Sequence, residues 1–212
     1  MHADKTFDSL ILDIDGTIWN TTDVVAVAWN RAIARSGFQA PPVNGKLLQK
    51  EFGKTMDVIA LDLWPELDAA CRTRLMALCC EEEQRALREN EADISYPGVS
   101  AGVRSLSEKI PVFVVSNCQA GYIELTLAKL GLLDCVKDFE CFGRTGKGKA
   151  DNLRLLIGRN SLQAPVYVGD TQGDCDACAG AGVPFIWAAY GFGSADPYYA
   201  KIDSFSQLAA FF

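Results

Sequence analysis

Short apolar runs of the strand type alternate with helical patterns along most of the 212-residue chain. The apolar runs predict strands at Ser9–Leu12, Val112–Ser116, about 138–142, 166–168 and Phe185–Ala188. Amphipathic patterns between the later strands predict helices at 99–109, 122–130, 150–160 and 174–180, and a short last helix at 205–210. Such alternation is typical of βαβ units, so we expect an α/β fold built on a parallel sheet.

The segment that follows the first strand has a different pattern, which is helical throughout. Its first helix begins at Thr22 and ends at Gly37, and the apolar face of that helix comprises Val24, Val27, Ala28 and Ile33. Further helices are predicted near Gly45–Glu51, from residue 55 onwards, and at about 67–89. We therefore predict an α/β core domain formed by residues 1–20 and 92–212, and a helical domain formed by residues 21–91.

The last helix of this segment carries an acidic run at residues 81–83. Arg85 and Arg88 are spaced to pair with these glutamates within the helix. A charge run of this kind predicts a solvated helix face.

The net charge and the hydropathy of the chain limit the kinds of partner that the protein is expected to bind. The net charge of −7 disfavours nucleic acid or an anionic membrane surface. No apolar run approaches the roughly 20 residues that span a bilayer, and the first residues lack the pattern of a signal peptide. We expect a cytoplasmic protein with no membrane partner.

Cysteine and histidine usage excludes several kinds of site. The eight cysteines are scattered, which favours reduced thiols, and Cys175 and Cys178 form a C-x-x-C without a second pair or a nearby histidine. A packed helix explains that pair better than a redox or zinc site. His2 is the only histidine, so catalysis must rely on carboxylates, lysines, hydroxyls and a hard metal ion.

Two aspartates close the first strand. Asp13 and Asp15 lie two residues apart, and this spacing puts both side chains on one face of an extended segment. Two carboxylates about 4 Å apart repel by roughly 4 kcal/mol at an effective dielectric constant of about 20. Some neighbouring positive charge must offset that repulsion.

Polar groups also follow the other strands. Ser116 and Asn117 end the second, Asp170 and Asp174 follow the fourth, and Lys147 and Lys149 precede the helix after the third. Carboxyl ends of parallel strands share one sheet edge. These groups predict a site there for a hard cation and a phosphate.

An EF-hand loop is the alternative explanation of the sequence D-I-D-G-T. Such a loop requires a glutamate at its twelfth position, where this chain has Val24, counting from Asp13. The strand that precedes the aspartates also argues against this alternative.

The ordered motifs resemble those of the haloacid dehalogenase-like (HAD) hydrolase superfamily. DIDGT is similar to the first motif of that superfamily, the serine of VVSN to the second, Lys149 of GKGKADN to the third, and GDTQGD to the fourth. The resemblance covers the whole chain and implies a Rossmann-like core with an inserted helical cap domain at residues 21–91.

The resemblance also implies roles for individual residues. Asp13 would be the nucleophile that forms an aspartyl-phosphate, and Asp15 the general acid and base. Ser116 and Lys149 would hold the phosphoryl oxygens, with Lys147 the less favoured candidate for this lysine. Mg²⁺ would be held by the Asp13 side chain, the Asp15 carbonyl and Asp170, with Asp174 either a direct ligand or behind the ligands. The residues expected near the substrate are Thr17, Asn117 and, from the cap, Lys54.

Several activities occur in this superfamily. The aspartate at position 15 favours a phosphatase or a phosphomutase over a dehalogenase or a transport ATPase. The related sugar phosphomutase uses a cap histidine, which this segment lacks, and a phosphonatase would need a cap lysine such as Lys46, Lys50 or Lys54. A non-catalytic binding protein is disfavoured because all the motif residues are present. We expect a phosphatase, similar to phosphoglycolate phosphatases, that acts on a small phosphorylated metabolite.

Overall fold

A computed structural model describes residues 7–212, so that His2 lies outside the described residues. Six parallel strands form one sheet in the order β3-β2-β1-β4-β5-β6. The strands are β1 (Ser9–Leu12), β2 (Val112–Ser116), β3 (Val136–Cys141), β4 (Pro165–Gly169), β5 (Phe185–Ala188) and β6 (Ala200–Ile202).

Helices connect these strands and fill the segment after β1. Four lie between β1 and β2: α1 (Thr22–Ser36), α2 (Gly45–Glu51), α3 (Met56–Leu63) and α4 (Ala69–Glu89). The others are α5 (Val99–Ser107), α6 (Tyr122–Lys129), α7 (Phe142–Thr145), α8 (Lys149–Asn160), α9 (Gln172–Ala181) and a final 3₁₀ helix (Phe205–Phe211). The expectation of an α/β fold with a parallel sheet is confirmed.

The central strand β1 is buried on both faces, as parallel sheets require. Leu10 and Leu12 pack into one apolar cluster and Ile11 packs into a second, because successive side chains point to opposite faces. The chain places β2 on one side of β1 and β4 on the other. The strand order therefore switches at β1, and the crevice beyond the carboxyl ends of β1 and β4 is where such sheets bind ligands.

The helices after β1 pack on each other around aromatic side chains. Trp29 of α1 and Trp64 are both buried, with ring centroids 6.2 Å apart. The Trp29 indole Nε1 donates a hydrogen bond of 2.7 Å to Glu83 of α4. The division into a core domain and a helical domain at residues 21–91 stays a prediction.

Two expectations about this helical segment are wrong. Val27 is 54% exposed although it was placed on the apolar face of α1. Glu83 is only 2% exposed, so the acidic run is not wholly a solvated face. Helix α4, expected at about 67–89, begins at Ala69, because the Asp68 side chain accepts a hydrogen bond from Cys71 N and caps the helix there.

Two short elements escaped the sequence patterns. Strand β6 has three residues and α7 has four, too few to establish a period. Within residues 7–212, no helix is both long enough and apolar enough to cross a membrane.

Candidate active site

A buried lysine joins the ends of β1 and β4. The Lys149 ammonium lies 2.9 Å from Asp13 Oδ1 and 2.5 Å from Asp174 Oδ1, and all three side chains are buried. Asp13 follows β1, Lys149 opens α8 and Asp174 lies in the first turn of α9. Lys147 is exposed, so the lysine that meets the aspartates is Lys149.

The charged groups of Lys149, Asp13 and Asp174 shift one another's pKa values. Burial alone would lower the pKa of Lys149, but the carboxylates of Asp13 and Asp174 outweigh burial and raise it above its ordinary value. Burial alone would raise the pKa of Asp174, but Lys149 holds it below its ordinary value. The pKa of Asp13 rises to about 6, because burial outweighs the attraction of Lys149. The lysine therefore stays charged.

Asp170 has a buried carboxylate oxygen without a partner. Its Oδ2 accepts a hydrogen bond from the Phe192 backbone N–H, but its Oδ1 has no hydrogen-bond partner. Burial, and then the charges of Asp174 and Asp13, raise its pKa well above the ordinary value. An unpartnered buried oxygen beside two other carboxylates is an arrangement that a hard cation fits.

Carboxylate oxygens from Asp13, Asp170 and Asp174 lie within 4.8 Å of one another, so the three residues could hold a metal ion. The oxygens of Asp174 already accept hydrogen bonds from Lys149, Tyr167 and Thr171. Asp13 and Asp170 therefore have more free ligand capacity than Asp174.

Gly16 lets the chain pass close to Asp170. A Cβ at Gly16 would lie 2.1 Å from Asp170 Oδ2, and Gly16 has a φ of +79°, which L side chains rarely adopt. Gly191 approaches Asp170 from another side, where a Cβ would lie 2.3 Å from the Asp170 Cβ. The glycine in the DIDGT motif is thus needed for space as well as for the turn.

Asp15 is held by two hydroxyls. The Tyr122 hydroxyl donates to Asp15 Oδ1 at 2.7 Å and the Thr21 hydroxyl at 2.9 Å. The pKa of Asp15 is raised to about 7, chiefly by burial and further by the charge of Asp13, against the lowering effect of the two hydroxyls. A carboxyl group with this pKa can give and take a proton near neutral pH. Tyr122 and Thr21 were not predicted as site residues.

A small cavity of about 20 Å³ adjoins Asp13 and Asp15, with room for about one water molecule. The end of β2 contributes Ser116 to its wall. Asn117 also lines it, and its amide donates a 2.8 Å hydrogen bond to the Gly53 carbonyl in the helical segment. Thr17, two residues after Asp15, is buried but does not line this cavity, and its hydroxyl has no hydrogen-bond partner.

Lys54 lines the cavity, and its ammonium is paired with two carboxylates of its own segment. It lies 2.7 Å from both Glu51 Oε2 and Asp62 Oδ2. That Lys54 contacts a substrate stays a prediction.

Glu83 is a wall residue that the sequence patterns missed. Its Oε2 accepts the Trp29 hydrogen bond and its Oε1 accepts one of 2.8 Å from Gln119 Nε2. A signal did exist, because Glu83 continues the buried row of α4 at steps of four residues from Leu75, Cys79 and on to Leu87. A carboxylate on such an apolar stripe indicates a buried acid, whereas Glu81, off the stripe, is exposed.

We predict that Gly16→Ala destabilises the protein by about 1–3 kcal/mol more than Gly37→Ala, because the new methyl group would overlap the Asp170 carboxylate. Gly37 is the matched control, since it has a φ of +76° and nothing within 4 Å of an added Cβ. Urea unfolding of both variants measures the difference, and equal losses would contradict the close approach.

A second prediction concerns Glu83, whose pKa burial raises from 4.5 to about 7. The folded protein then holds this proton more tightly than the unfolded chain. Its stabilising contribution is complete below about pH 4.5 and is lost as the pH rises through about 7. The full contribution is roughly 3 kcal/mol.

Glu83→Gln should therefore lose less unfolding free energy than the wild type between about pH 5 and about pH 8. Urea titrations in the presence of a chelator measure this, and other buried carboxyls cancel in the comparison. Parallel pH profiles for the two proteins would show that the pKa of Glu83 is not raised.

Comparisons with known proteins agree with this architecture. The family profile described as haloacid dehalogenase-like hydrolase matches residues 10–188. A phosphoglycolate phosphatase from Yersinia pseudotuberculosis is 24% identical over 197 residues, which cover 89% of this chain and 83% of that protein.

Solved structures are similar over nearly the whole chain. One is a predicted phosphoglycolate phosphatase from Haemophilus somnus, with a TM-score of 0.82 and 19% identity over 99% of both chains. Another is a haloacid dehalogenase-like family hydrolase from Streptococcus pneumoniae, with a TM-score of 0.82 and 13% identity over 97% of this chain and 98% of that chain. These likenesses concern the fold. The family profile covers most of the chain, and the protein therefore belongs to the haloacid dehalogenase-like hydrolases.

Proposed function

We propose that the protein is a Mg²⁺-dependent phosphatase that hydrolyses a small phosphate monoester through an aspartyl-phosphate at Asp13. Membership of a hydrolase family and the similarity to a phosphoglycolate phosphatase support the class of reaction. The observation that carries the proposal is the position of Asp13. It has one oxygen bound to Lys149, and it lies beside Asp15, whose pKa is raised to about 7.

In the first step, an Asp13 carboxylate oxygen attacks phosphorus. The new bond from phosphorus to Asp13 forms as the bond from phosphorus to the ester oxygen breaks. Asp15 gives its proton to the leaving oxygen, so that a neutral alcohol departs. The raised pKa of Asp15 makes a protonated carboxyl available for this step near neutral pH.

In the second step, Asp15 accepts a proton from a water molecule whose oxygen attacks the phosphoryl group. The bond from phosphorus to Asp13 breaks, and Asp13 and Asp15 return to their starting states as phosphate leaves. The hydroxyls of Tyr122 and Thr21 orient Asp15 for both proton transfers.

Lys149 and Ser116 hold the phosphoryl oxygens in this proposal. Lys149 also keeps Asp13 in its reactive ionised form, since its positive charge favours the carboxylate. Mg²⁺ bound by Asp13, the Asp15 carbonyl and Asp170 would supply positive charge against the phosphoryl oxygens. Asp174, whose oxygens are already hydrogen-bonded, positions Lys149.

Residues 21–91 act as a cap over this site. The contacts from Gly53 to Asn117 and from Glu83 to Gln119 link the helical segment to the loop after β2. The cavity beneath holds about one water molecule, so these contacts must open before an ester can enter. The segment thereby excludes bulk water during the reaction.

We predict that Asp13→Asn lowers phosphate release from p-nitrophenyl phosphate by at least about 1,000-fold, because the nucleophile is lost. Asp176→Asn is the control, since Asp176 is an exposed residue of α9 and its variant should keep wild-type turnover. A chelator should abolish wild-type turnover and added Mg²⁺ should restore it. Metal-dependent turnover that survives in Asp13→Asn would refute the mechanism.

A further inference from the structure

The cap contributes a buried carboxylate to the substrate side of the cavity. Glu83 is 2% exposed, and its two oxygens accept hydrogen bonds from Trp29 and Gln119. Over residues 7–212, no lysine or arginine pairs with it. Both neighbours supply N–H donors, so the ionised carboxyl is an acceptor with lone pairs to spare.

Two amide oxygens on the same wall have no donor. The Gln119 amide nitrogen faces the Glu83 carboxylate, and the Asn117 amide nitrogen faces the Gly53 carbonyl. Because a carboxylate and a carbonyl only accept hydrogen bonds, these contacts fix which end of each amide is nitrogen. The remaining oxygens, Gln119 Oε1 and Asn117 Oδ1, are buried and have no hydrogen-bond partner. The wall therefore offers acceptors in excess.

The cations at the cavity are already paired. Lys149 lies between Asp13 and Asp174, on the side of the phosphoryl group. Lys54 has both Glu51 and Asp62 at 2.7 Å. No free cation in the described part of this wall faces the place where the alcohol portion of an ester would lie.

We propose that Glu83 is a specificity-determining residue, which selects small phosphate monoesters whose alcohol portion carries a hydroxyl or an ammonium group and rejects those that carry a carboxylate. This inference rests on the proposed phosphatase function and names its substrate class. A hydroxyl or ammonium donor satisfies the unpartnered oxygens and the Glu83 lone pairs together. Once Glu83 is ionised, above about pH 7, a carboxylate in the same place would meet only acceptors and a like charge.

Apolar side chains form another part of the cavity wall, namely those of Phe52, Met56 and Ile59. These side chains can pack against the carbon atoms of an alcohol, which leaves its donor groups to the Glu83 side.

Four two-carbon esters test the inference, because they differ only at the carbon remote from phosphate. These are 2-phosphoglycolate, 2-hydroxyethyl phosphate, phosphoethanolamine and ethyl phosphate, the last being the reference without a polar group. We expect wild-type kcat/KM for the hydroxyl ester, the ammonium ester or both to exceed that for 2-phosphoglycolate by at least about tenfold.

Each kcat/KM is divided by the kcat/KM for ethyl phosphate in the same variant. Glu83→Gln should lower the preference for the hydroxyl or ammonium ester over 2-phosphoglycolate by at least about tenfold, because the like charge is gone. A fall confined to phosphoethanolamine would identify an ammonium partner, and a fall shared with the hydroxyl ester would identify a hydroxyl partner. Glu82→Gln is the matched control, since Glu82 pairs with Arg35 and Arg85 instead of facing the cavity. It should leave the ratios unchanged.

A wild-type preference for 2-phosphoglycolate would overturn the inference while leaving the phosphatase intact, and this result does not depend on the folding of any variant. Equal ratios in the wild type and in a folded Glu83→Gln would also overturn it. If the protein releases phosphate neither from the four esters nor from p-nitrophenyl phosphate, the proposed function itself is refuted, together with this inference.

Discussion

The contact of the Lys149 ammonium with Asp13 and Asp174 is the interaction on which the site depends. It brings together the ends of β1 and β4 and the starts of α8 and α9 in a region from which water is excluded. Buried charges are costly unless they are paired and hydrogen-bonded. Removing the lysine would leave two buried carboxylates facing each other, so the fold around the switch point of the sheet requires it as much as the proposed chemistry does.

Acidic side chains still outnumber basic ones around Lys149. Asp170 keeps an oxygen without a partner, and burial raises the pKa of Asp15 and of Glu83 to about 7 in each case. Each of these groups fits a different element of a phosphate ester complex. The unpartnered Asp170 oxygen is suited to bind a hard cation. Asp15 is suited to transfer the proton to the leaving oxygen and from water. Glu83 is suited to accept a hydrogen bond from a donor group on the alcohol.

The sequence predicted the parallel sheet apart from its short last strand β6, and it predicted the residues at the strand ends, because strand periodicity and motif spacing are local properties. It could not predict that Lys54 would turn to Glu51 and Asp62, since that depends on how α2 and α3 pack. The burial of Glu83 depends on the docking of α1 against α4. The glutamates at positions 81–83 are identical in type, and only tertiary packing makes Glu81 exposed, Glu82 partly buried and Glu83 buried.

The most direct test of the account is to locate the phosphoryl group during turnover. Wild type and Asp15→Asn would be mixed with p-nitrophenyl phosphate and Mg²⁺, quenched in acid within the turnover time, digested and analysed by mass spectrometry. The account predicts a phosphoryl adduct on Asp13 that accumulates in Asp15→Asn, because that variant cannot activate the water that removes it. Phosphate release without an adduct on Asp13, or with an adduct on another residue, would contradict the account.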